Sequence, residues 1–310
     1  MSSTPNPDLS TSIGKIRLKN PVIVASGTFG FGQEYEDFLD LNELGAIIPK
    51  GISLKPMVGN RPPRLFETEG GMINSIGLQN PGLNDFIKNK LPYFKIIQTH
   101  LIVNFFGNTE SEYVELAKKL DGLPGVSGFE MNISCPNVKK GGMVFGTDPK
   151  MTFRLVQRVR RSTHLNLMVK LSPNVTDIAL IAKSSADAGA DAVSLVNTFK
   201  AMAINIHTRK PEIGNVTGGL SGPAIKPIAL RMVWEVCKAV NIPVIGMGGI
   251  TRAEDAIEYF LAGASAIQIG TANLVNPKTA IEVIDGIRRY LLQNRMTSIQ
   301  KCIGLLKLKA

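Results

Sequence analysis

The chain has 310 residues, of which 44% are hydrophobic and 19% are charged, and its formal net charge is +10. This composition suits a globular protein with a large core, and no apolar run approaches the roughly 20 residues that a transmembrane helix needs. The basic residues form short clusters that indicate solvated helix faces or a field attracting a small anionic substrate, since aromatic residues, at 6%, are too few for a typical nucleic-acid-binding surface.

Short apolar runs alternate with amphipathic segments along the whole chain. Eight runs predict strands buried on both faces, at residues 21–26, 45–50, 101–106, 126–132, 165–171, 191–197, 242–247 and 265–270. The segments between them predict helices, among them 112–120, 152–161, 177–188, 224–239 and 252–262. Eight such units predict an α/β fold, a single-domain (β/α)8 TIM barrel over residues 1–310, and the alternative is a doubly wound open sheet.

Helix starts are marked by capping residues. Thr109 with Glu112, and Thr251 with Glu254, have the spacing of a capping box. Asn276 precedes a proline that suits the first helical position. We therefore expect helices to begin directly after these three residues.

Three connections are longer than ordinary loops, at residues 51–82, 133–149 and 198–222. Long loops in a compact domain are usually functional. In a barrel they would lie at the C-terminal face, where active sites are built.

Polar residues stand at or near the ends of five predicted strands: Lys50, Asn104, Asn132, Lys170 and Asn197. A single asparagine there is ordinarily a loop residue bonded to its own backbone, and a single lysine extends to the surface. Together, the amides suit a planar ring with alternating N–H and C=O groups, and the lysines suit a carboxylate substrate or an electron-rich cofactor.

Glycine-rich turns follow the last two predicted strands, "GMGGIT" at 246–251 and "GTAN" at 270–273. They are either tight turns or a phosphate site, and their place after strands seven and eight favours phosphate. The stretch "GTFGFG" at 27–32 does not have the G-x-G-x-x-G spacing of a dinucleotide fold. Three scattered histidines show no metal-binding spacing, so we expect no metal site.

The chain has three cysteines, Cys135, Cys237 and Cys302, which are too far apart to indicate a disulfide framework. With a polar N-terminus that lacks the regions of a signal peptide, this indicates a reducing, cytoplasmic location. Cys135 lies in "NISCPN" at 132–137, directly after a strand. Its sulfur is either a small buried group or a participant in chemistry.

These motifs together resemble the dihydroorotate dehydrogenase family, and the resemblance covers nearly the whole chain. Its most specific parts are "GMINSIGLQNPG" (71–82), "NISCPNVKKGG" (132–142), "FGTDP" (145–149), "VKLSPNVTDI" (169–178), "TGGLSGPAIKP" (217–227) and "GMGGI" (246–250). Members of this family are FMN-containing (β/α)8 barrels that oxidise dihydroorotate to orotate in pyrimidine synthesis. Several long motifs in the right order are more specific than one short pattern.

The resemblance implies roles for individual residues. Cys135 would be the catalytic base. One FMN would contact Ser26, Lys50, Gly51, Asn104, Asn132, Lys170, Val196, Gly222, Gly248, Gly249, Gly270 and Thr271. The substrate would contact Lys50, Asn74, Ser75, Ile76, Gly77, Leu78, Asn132, Asn137, Asn197 and Thr198.

The motifs around Cys135 are most similar to the NAD-linked class, in which electrons leave through a second subunit. The membrane-linked, quinone-using class uses serine as base, and the fumarate-using class differs after the cysteine. The resemblance therefore implies a partner subunit carrying FAD and an iron–sulfur cluster, docked on a homodimer to form a heterotetramer that reduces NAD. This chain's three cysteines cannot supply the four thiolates of an ordinary cluster.

The chain departs from the family pattern at a few positions. We would expect smaller residues near Phe105 and Phe106, an apolar residue at Lys200, a glycine at Ala201 and an acid at Asn205. Four alternatives stay open: a related FMN barrel acting on another dihydropyrimidine, a fumarate-using dihydroorotate dehydrogenase, a non-redox phosphate-binding barrel and a basic nucleic-acid-binding protein.

Overall fold

The chain folds into alternating strands and helices, and the computed structural model describes residues 6–134 and 145–308. In these ranges the strands are β1 (Thr11–Ile13), β2 (Ile16–Leu18), β3 (Val22–Val24), β4 (Ala46–Ile47), β5 (Leu65–Thr68), β6 (Gly71–Asn74), β7 (His100–Phe105), β8 (Val126–Asn132), β9 (Asn166–Lys170), β10 (Ala192–Leu195), β11 (Phe199–Ala201), β12 (Ile204–Asn205), β13 (Lys210–Pro211), β14 (Gly218–Ser221), β15 (Val244–Met247) and β16 (Ala266–Ile269). The α-helices are α1 (Leu83–Asp85), α2 (Leu91–Phe94), α3 (Glu110–Leu120), α4 (Pro149–Arg160), α5 (Ile178–Asp187), α6 (Lys226–Ala239), α7 (Ala253–Leu261), α8 (Ala272–Val275) and α9 (Thr279–Gln293).

Eight parallel strands close into a barrel in the order β3-β4-β7-β8-β9-β10-β15-β16, and β16 pairs with β3. Each coincides with one of the eight apolar runs, because a strand covered on both faces needs an unbroken apolar sequence. The predicted (β/α)8 barrel is therefore confirmed, and the open sheet is wrong. None of the helices in the described ranges is both long and apolar enough to cross a bilayer.

The connection between β3 and β4 differs from the predicted alternation of strands and helices. In place of an α-helix, the chain between β3 and β4 has only the short 3₁₀ turns Gln33–Tyr35 and Leu41–Glu43. The preceding "GTFGFG" stretch contains three glycines with φ between 51° and 96°, a region that other residues rarely adopt. This glycine-rich backbone favours a turn over a continuous helix.

Two predicted helix caps have different outcomes. Thr109 accepts a hydrogen bond from the N–H of Glu112 at 3.2 Å, as predicted for the start of α3. The predicted pair of Thr251 with Glu254 is wrong by one residue. Asp255 is the acid that reaches back, and it accepts from the N–H of Thr251 at 2.9 Å. Because an aspartate there satisfies the free N–H groups directly, α7 begins at Ala253.

The cap predicted at Asn276 is also displaced. Its side chain accepts from the N–H of Lys278 at 3.0 Å and closes a turn, so α9 begins at Thr279. Asparagine commonly makes such a turn with the backbone two residues ahead.

The N-terminal hairpin of β1 and β2 fills the lower end of the barrel interior. Its buried side chains, Ile13, Ile16 and Leu18, form one cluster with inward residues of the barrel strands, namely Ile23, Ala46, Ile48, Ile102, Met168, Ala192, Ile245 and Ala266. A separate, larger apolar core lies between the strands and the surrounding helices. Phe105 and Phe106 belong to that outer core and are fully buried, so these two departures fill packing space.

The long connections 51–82 and 198–222 meet in one antiparallel sheet with the order β11-β14-β6-β5. Within this sheet, the pairing of β6 with β14 joins the two connections. Ser221, at the end of β14, bonds by its hydroxyl to the hydroxyl of Thr271 at 2.8 Å, directly after β16. The sheet therefore lies at the C-terminal end of the barrel. Two departures, Lys200 and Ala201, are in β11, and Asn205 is in β12.

Candidate active site

The rim of the barrel, meaning the C-terminal ends of its strands, carries the predicted polar residues. Asn132 and Lys170 end β8 and β9, and Asn104 is the penultimate residue of β7. Lys50 and Asn197 follow β4 and β10 by a few residues. Because all barrel strands are parallel, these five side chains belong to the same end of the molecule.

Two rim asparagines have their amide oxygen occupied by the backbone. Asn132 Oδ1 accepts from the N–H of Ser134 at 3.1 Å, and Asn197 Oδ1 accepts from the N–H of Thr198 at 2.9 Å. Since only an oxygen can accept from an N–H group, the orientation of each amide is fixed. Both residues therefore present their NH₂ groups, as hydrogen-bond donors, on the opposite side.

Two further asparagines are turned the other way. Asn104 Nδ2 donates to Glu130 Oε2 at 2.7 Å, and Asn74 Nδ2 donates to the carbonyl oxygen of Gly219 at 3.2 Å. A Cβ on Gly51 would lie 2.5 Å from Asn104 Oδ1, so only glycine leaves room for that oxygen. The rim thus combines two amide donors with two amide acceptors.

Lys50 brings a positive charge to this amide set. It is half buried, and within the described ranges it forms no ion pair. Burial lowers the pKa of Lys50 below that of an ordinary lysine, and the nearby charge of Arg64 lowers it further. A partly buried cation without an acidic partner is favourable only if an anion joins it, which fits a carboxylate or a phosphate.

Glycine turns from two connections meet beside the ends of β15 and β16. Gly222, Gly248 and Gly249 have φ values of 97°, 131° and 68°, and a Cβ on Gly249 would lie 2.9 Å from the carbonyl oxygen of Gly222. Beside Gly270, a Cβ would meet nothing nearer than 3.7 Å. Among the described residues, no acceptor is found for the backbone N–H groups of Gly248, Gly249, Gly270 and Thr271.

Free N–H groups on glycine backbone are the donor set that a phosphate needs, so this cradle fits the phosphate group of FMN. Ser26 follows β3 beside this cradle, and Val196 and Thr198 follow β10. Val196 is buried and donates its N–H to the carbonyl oxygen of Met247 at 3.0 Å. These three residues are therefore at the C-terminal rim of the barrel.

The predicted substrate segment from Asn74 to Leu78 leaves the end of β6. Ser75 is buried, and its hydroxyl oxygen accepts from Asn60 and Asn215, which belong to the two different long connections. The chain then turns sharply through Ile76, Gly77 and Leu78, where Gly77 and Leu78 have φ values of 75° and 57°. The segment is therefore held at the end of β6 by contacts with both long connections.

Cys135 and Asn137 lie outside the described residues. The two described ends of that stretch are in contact, because a Cβ on Gly146 would lie 2.6 Å from the carbonyl oxygen of Ile133. The other two cysteines have little thiolate character. Burial raises the pKa of Cys237 to about 12 and also raises the pKa of Cys302.

Sequence reasoning missed Glu130 and Tyr113. The hydroxyl of Tyr113 donates to the carbonyl oxygen of Asn132 at 2.7 Å and thereby braces the end of β8. Glu130 is completely buried inside the barrel. The sequence does contain a sign of this residue's role, because Glu130 is an acid within the apolar run "VSGFEMN". Burying an unpaired carboxylate is costly, so a partner inside the barrel could have been expected.

Comparison with known proteins finds matches that cover nearly the whole chain. The family model described as dihydroorotate dehydrogenase matches residues 8–291. A protein of Geotalea daltonii named "Dihydroorotate dehydrogenase B (NAD(+)), catalytic subunit" is 56% identical over 302 residues, covering 97% of this chain and 99% of the relative. A protein of the same name from Thermoanaerobacter pseudethanolicus is 55% identical over 300 residues, with 97% and 99% of the two chains covered.

The matched range contains the barrel strands, the rim residues and the glycine turns described above. The chain belongs to the dihydroorotate dehydrogenase family.

Proposed function

We propose that this chain oxidises (S)-dihydroorotate to orotate in the synthesis of UMP, with one bound FMN and with Cys135 as the base. The orientation of the rim amides is the observation that carries the proposal. Dihydroorotate is a ring with alternating N–H and C=O groups and one carboxylate. Asn132 and Asn197 offer donors for carbonyl oxygens, Asn74 offers an acceptor for a ring N–H, and Lys50 offers a cation for the carboxylate.

In the reaction, one ring carbon loses a proton and its neighbour loses a hydride, so that the C=C bond of orotate forms. The proton goes to the sulfur of Cys135. A thiol, with a reference pKa of about 8.5, forms a base near neutral pH far more readily than a hydroxyl does. Substrate carbonyls that gain charge as the proton leaves meet the NH₂ groups of Asn132 and Asn197. FMN, when bound, accepts the hydride.

The residues that would hold FMN fall into two sets. The backbone of Gly222, Gly248, Gly249, Gly270 and Thr271 would bind its phosphate. The ring would be contacted by Ser26, Lys50, Gly51, Asn104, Asn132, Lys170 and Val196. Within residues 6–134 and 145–308 we see no second cradle for the additional phosphate and adenosine of FAD.

The test is anaerobic mixing of the purified chain with dihydroorotate while the visible absorbance of the oxidised flavin is followed. We expect the released cofactor to be FMN and the absorbance to bleach. Dihydrouracil, which lacks the carboxylate that Lys50 would bind, should bleach it far more slowly. Faster bleaching with dihydrouracil would favour another dihydropyrimidine, and a chain without flavin would favour a non-redox phosphate-binding barrel.

We further propose that reduced FMN is reoxidised through a separate subunit carrying FAD and an iron–sulfur cluster. The relatives are named catalytic subunits linked to NAD(+), which supports a partner. The chain has three cysteines, fewer than the four thiolates of an ordinary cluster, and partial burial of Cys237 and full burial of Cys302 raise the pKa values of these two thiols. A homodimer within a heterotetramer, located in the reducing cytoplasm, completes the proposal.

A further inference from the structure

A buried carboxylate stands at the centre of the barrel, one layer below the rim. Glu130 on β8 is 0% exposed. Its Oε1 accepts from Ser194 Oγ at 2.8 Å and from Gln268 Nε2 at 2.7 Å. Its Oε2 accepts from Asn104 Nδ2 at 2.7 Å and lies 3.7 Å from Lys170 Nζ. Three strands other than its own therefore supply a hydrogen-bond donor to this side chain, and a fourth supplies the ammonium of Lys170.

The partners of the two carboxylate oxygens lie in different parts of the barrel. Ser194 and Gln268 belong to the closed interior, where both side chains are buried. Asn104 and Lys170 belong to the rim, and both are among the residues that we propose contact the flavin ring. Glu130 fixes the orientation of the Asn104 amide, because a carboxylate can accept only from the NH₂ half.

The charge of Glu130 also matters to the rim. The Lys170 side chain is only 7% exposed, so water screens its charge poorly. The nearest described carboxylate to that ammonium is Glu130, which forms an ion pair with it and also accepts three hydrogen bonds, from Asn104, Ser194 and Gln268. A buried negative charge at this distance offsets much of the positive field that Lys170 directs at the rim.

We propose that Glu130 is a positioning residue for the flavin ring, which orients Asn104 and Lys170 and whose charge offsets that of Lys170, thereby lowering the reduction potential of the flavin. The inference rests on the proposed binding of FMN at this rim. A positive charge near the flavin favours its reduced, more negative form, so a counter-charge behind the lysine makes reduction harder and passage of the electrons onward easier.

The test compares the reduction potential of bound FMN in wild type and Glu130→Gln, measured anaerobically against a reference dye. At a fixed applied potential, the ratio of reduced to oxidised FMN is expected to rise about ten-fold in the variant, which is about 30 mV for a two-electron couple. Ser194→Ala is the matched control, because it removes one hydrogen bond to the same carboxylate and leaves every charge in place. Its ratio should stay close to that of wild type.

Glu130→Gln leaves three donors and a cation around an amide, so it could fail to fold. The comparison of Lys170→Met with the double variant Glu130→Gln/Lys170→Met keeps the proposal testable, because the double variant removes both buried charges. Lys170→Met should lower the potential, and the double variant should raise it again toward the wild-type value. Equal potentials in these two variants would overturn the proposal, as would a change in Ser194→Ala as large as that in Glu130→Gln.

The outcome separates this inference from the proposed function. If the wild-type chain carries no FMN, or if dihydroorotate does not reduce it, the proposed function fails. If FMN binds and is reduced by dihydroorotate while Glu130→Gln leaves its potential unchanged, Glu130 is a structural residue only.

Discussion

At the scale of single residues, the sharpest expectation concerns Cys135→Ser. A hydroxyl ionises far less readily than a thiol, so the rate of flavin reduction by dihydroorotate should fall by about 10²- to 10⁴-fold, with its optimum moved to higher pH. FMN content should be unchanged. Cys237→Ser makes the same chemical change at a thiol whose pKa of about 12 keeps it neutral, and it should reduce its flavin normally. An unaltered rate in Cys135→Ser would mean that another group is the base.

Lys50 should show a conflict between binding and stability. Burial, reinforced by Arg64, lowers its pKa in the folded chain, so the unfolded chain holds this proton more tightly. The charged lysine therefore costs stability below its lowered pKa, and the cost disappears as the pH rises toward the ordinary value of 10.5.

The substitution Lys50→Met should thus raise the unfolding temperature near neutral pH in the absence of orotate, and the gain should vanish toward pH 10.5. Orotate affinity should fall by about 10- to 100-fold, because a hydrogen-bonded charge on the carboxylate is lost. Lys183→Met, on the exposed face of α5, removes the same charge elsewhere and should change neither property. A less stable Lys50→Met would contradict this account.

The sequence is sufficient to predict that asparagines lie at the rim, and it is insufficient to predict which half of each amide faces the substrate. That choice depends on the N–H of Ser134 and on the carboxylate of Glu130. Glu130 acts across the barrel on residues far from it in the chain, and no local pattern records such a contact. Position followed from strand ends, whereas orientation followed from local backbone contacts at Asn132 and Asn197 and from distant contacts at Asn104 and Asn74.

At the scale of elements, the junction of the two long connections should be intolerant of a single methyl group. A Cβ on Gly222 would lie 2.7 Å from Gly71 Cα, and the φ of 97° disfavours any other residue. Gly222→Ala should therefore lose about 1–3 kcal/mol of stability and much of its FMN, measured as flavin per chain after gel filtration.

The matched control for this substitution is Gly122→Ala. Gly122 also has a left-handed φ, of 72°, but a Cβ there would meet nothing within 4 Å. It should show the cost of backbone strain and keep its FMN. If both variants lost flavin equally, the close contact with Gly71 would not matter for the cradle.

The turn after β15 should depend on Asp255. Burial alone would raise the pKa of Asp255, but hydrogen bonds from Lys226 and Thr251 outweigh it and hold the pKa below 3.8. This carboxylate therefore stabilises the fold above that pH, and its contribution is lost as the pH falls through the lowered pKa.

Asp255→Asn should lower the free energy of unfolding by about 1–3 kcal/mol at neutral pH, and the difference from wild type should shrink as the pH falls below 3.8. Glu258→Gln removes the other carboxylate bound to Lys226. Because the Glu258 side chain is 43% exposed, this substitution should change stability little. Denaturant titrations across this pH range provide the measurement. A pH-independent difference would show that the aspartate charge is not what stabilises the turn.

Elements formed by local sequence were predictable, and elements formed by distant pairing were not. The barrel strands and main helices followed from hydrophobic pattern alone. Strands β6 and β14 are four residues each and exist because they pair with one another across the chain. The two connections were recognised as long, but nothing local indicated that they would form a sheet together.

At the scale of the whole molecule, the chain alone should carry out the reduction of its flavin by dihydroorotate but not the transfer of electrons to NAD⁺. With dihydroorotate and NAD⁺ supplied together, its flavin should bleach while little NADH forms. Addition of an electron-transfer subunit carrying FAD and an iron–sulfur cluster should restore NADH production. Rapid NAD⁺ reduction by the lone chain, or efficient turnover with fumarate, would contradict the proposed partner.

The hairpin that fills the lower barrel has a consequence for how the protein is made. Ile13, Ile16 and Leu18 are synthesised more than 200 residues before Ile245 and Ala266, the residues of the last two barrel strands that belong to the same buried cluster. Contacts so far apart in sequence form slowly, because a long chain segment must first be ordered. A nascent chain therefore keeps an apolar hairpin exposed until β15 and β16 have been made. Chains that end before β15 should be prone to aggregate, and translation speed should affect yield more than final stability does.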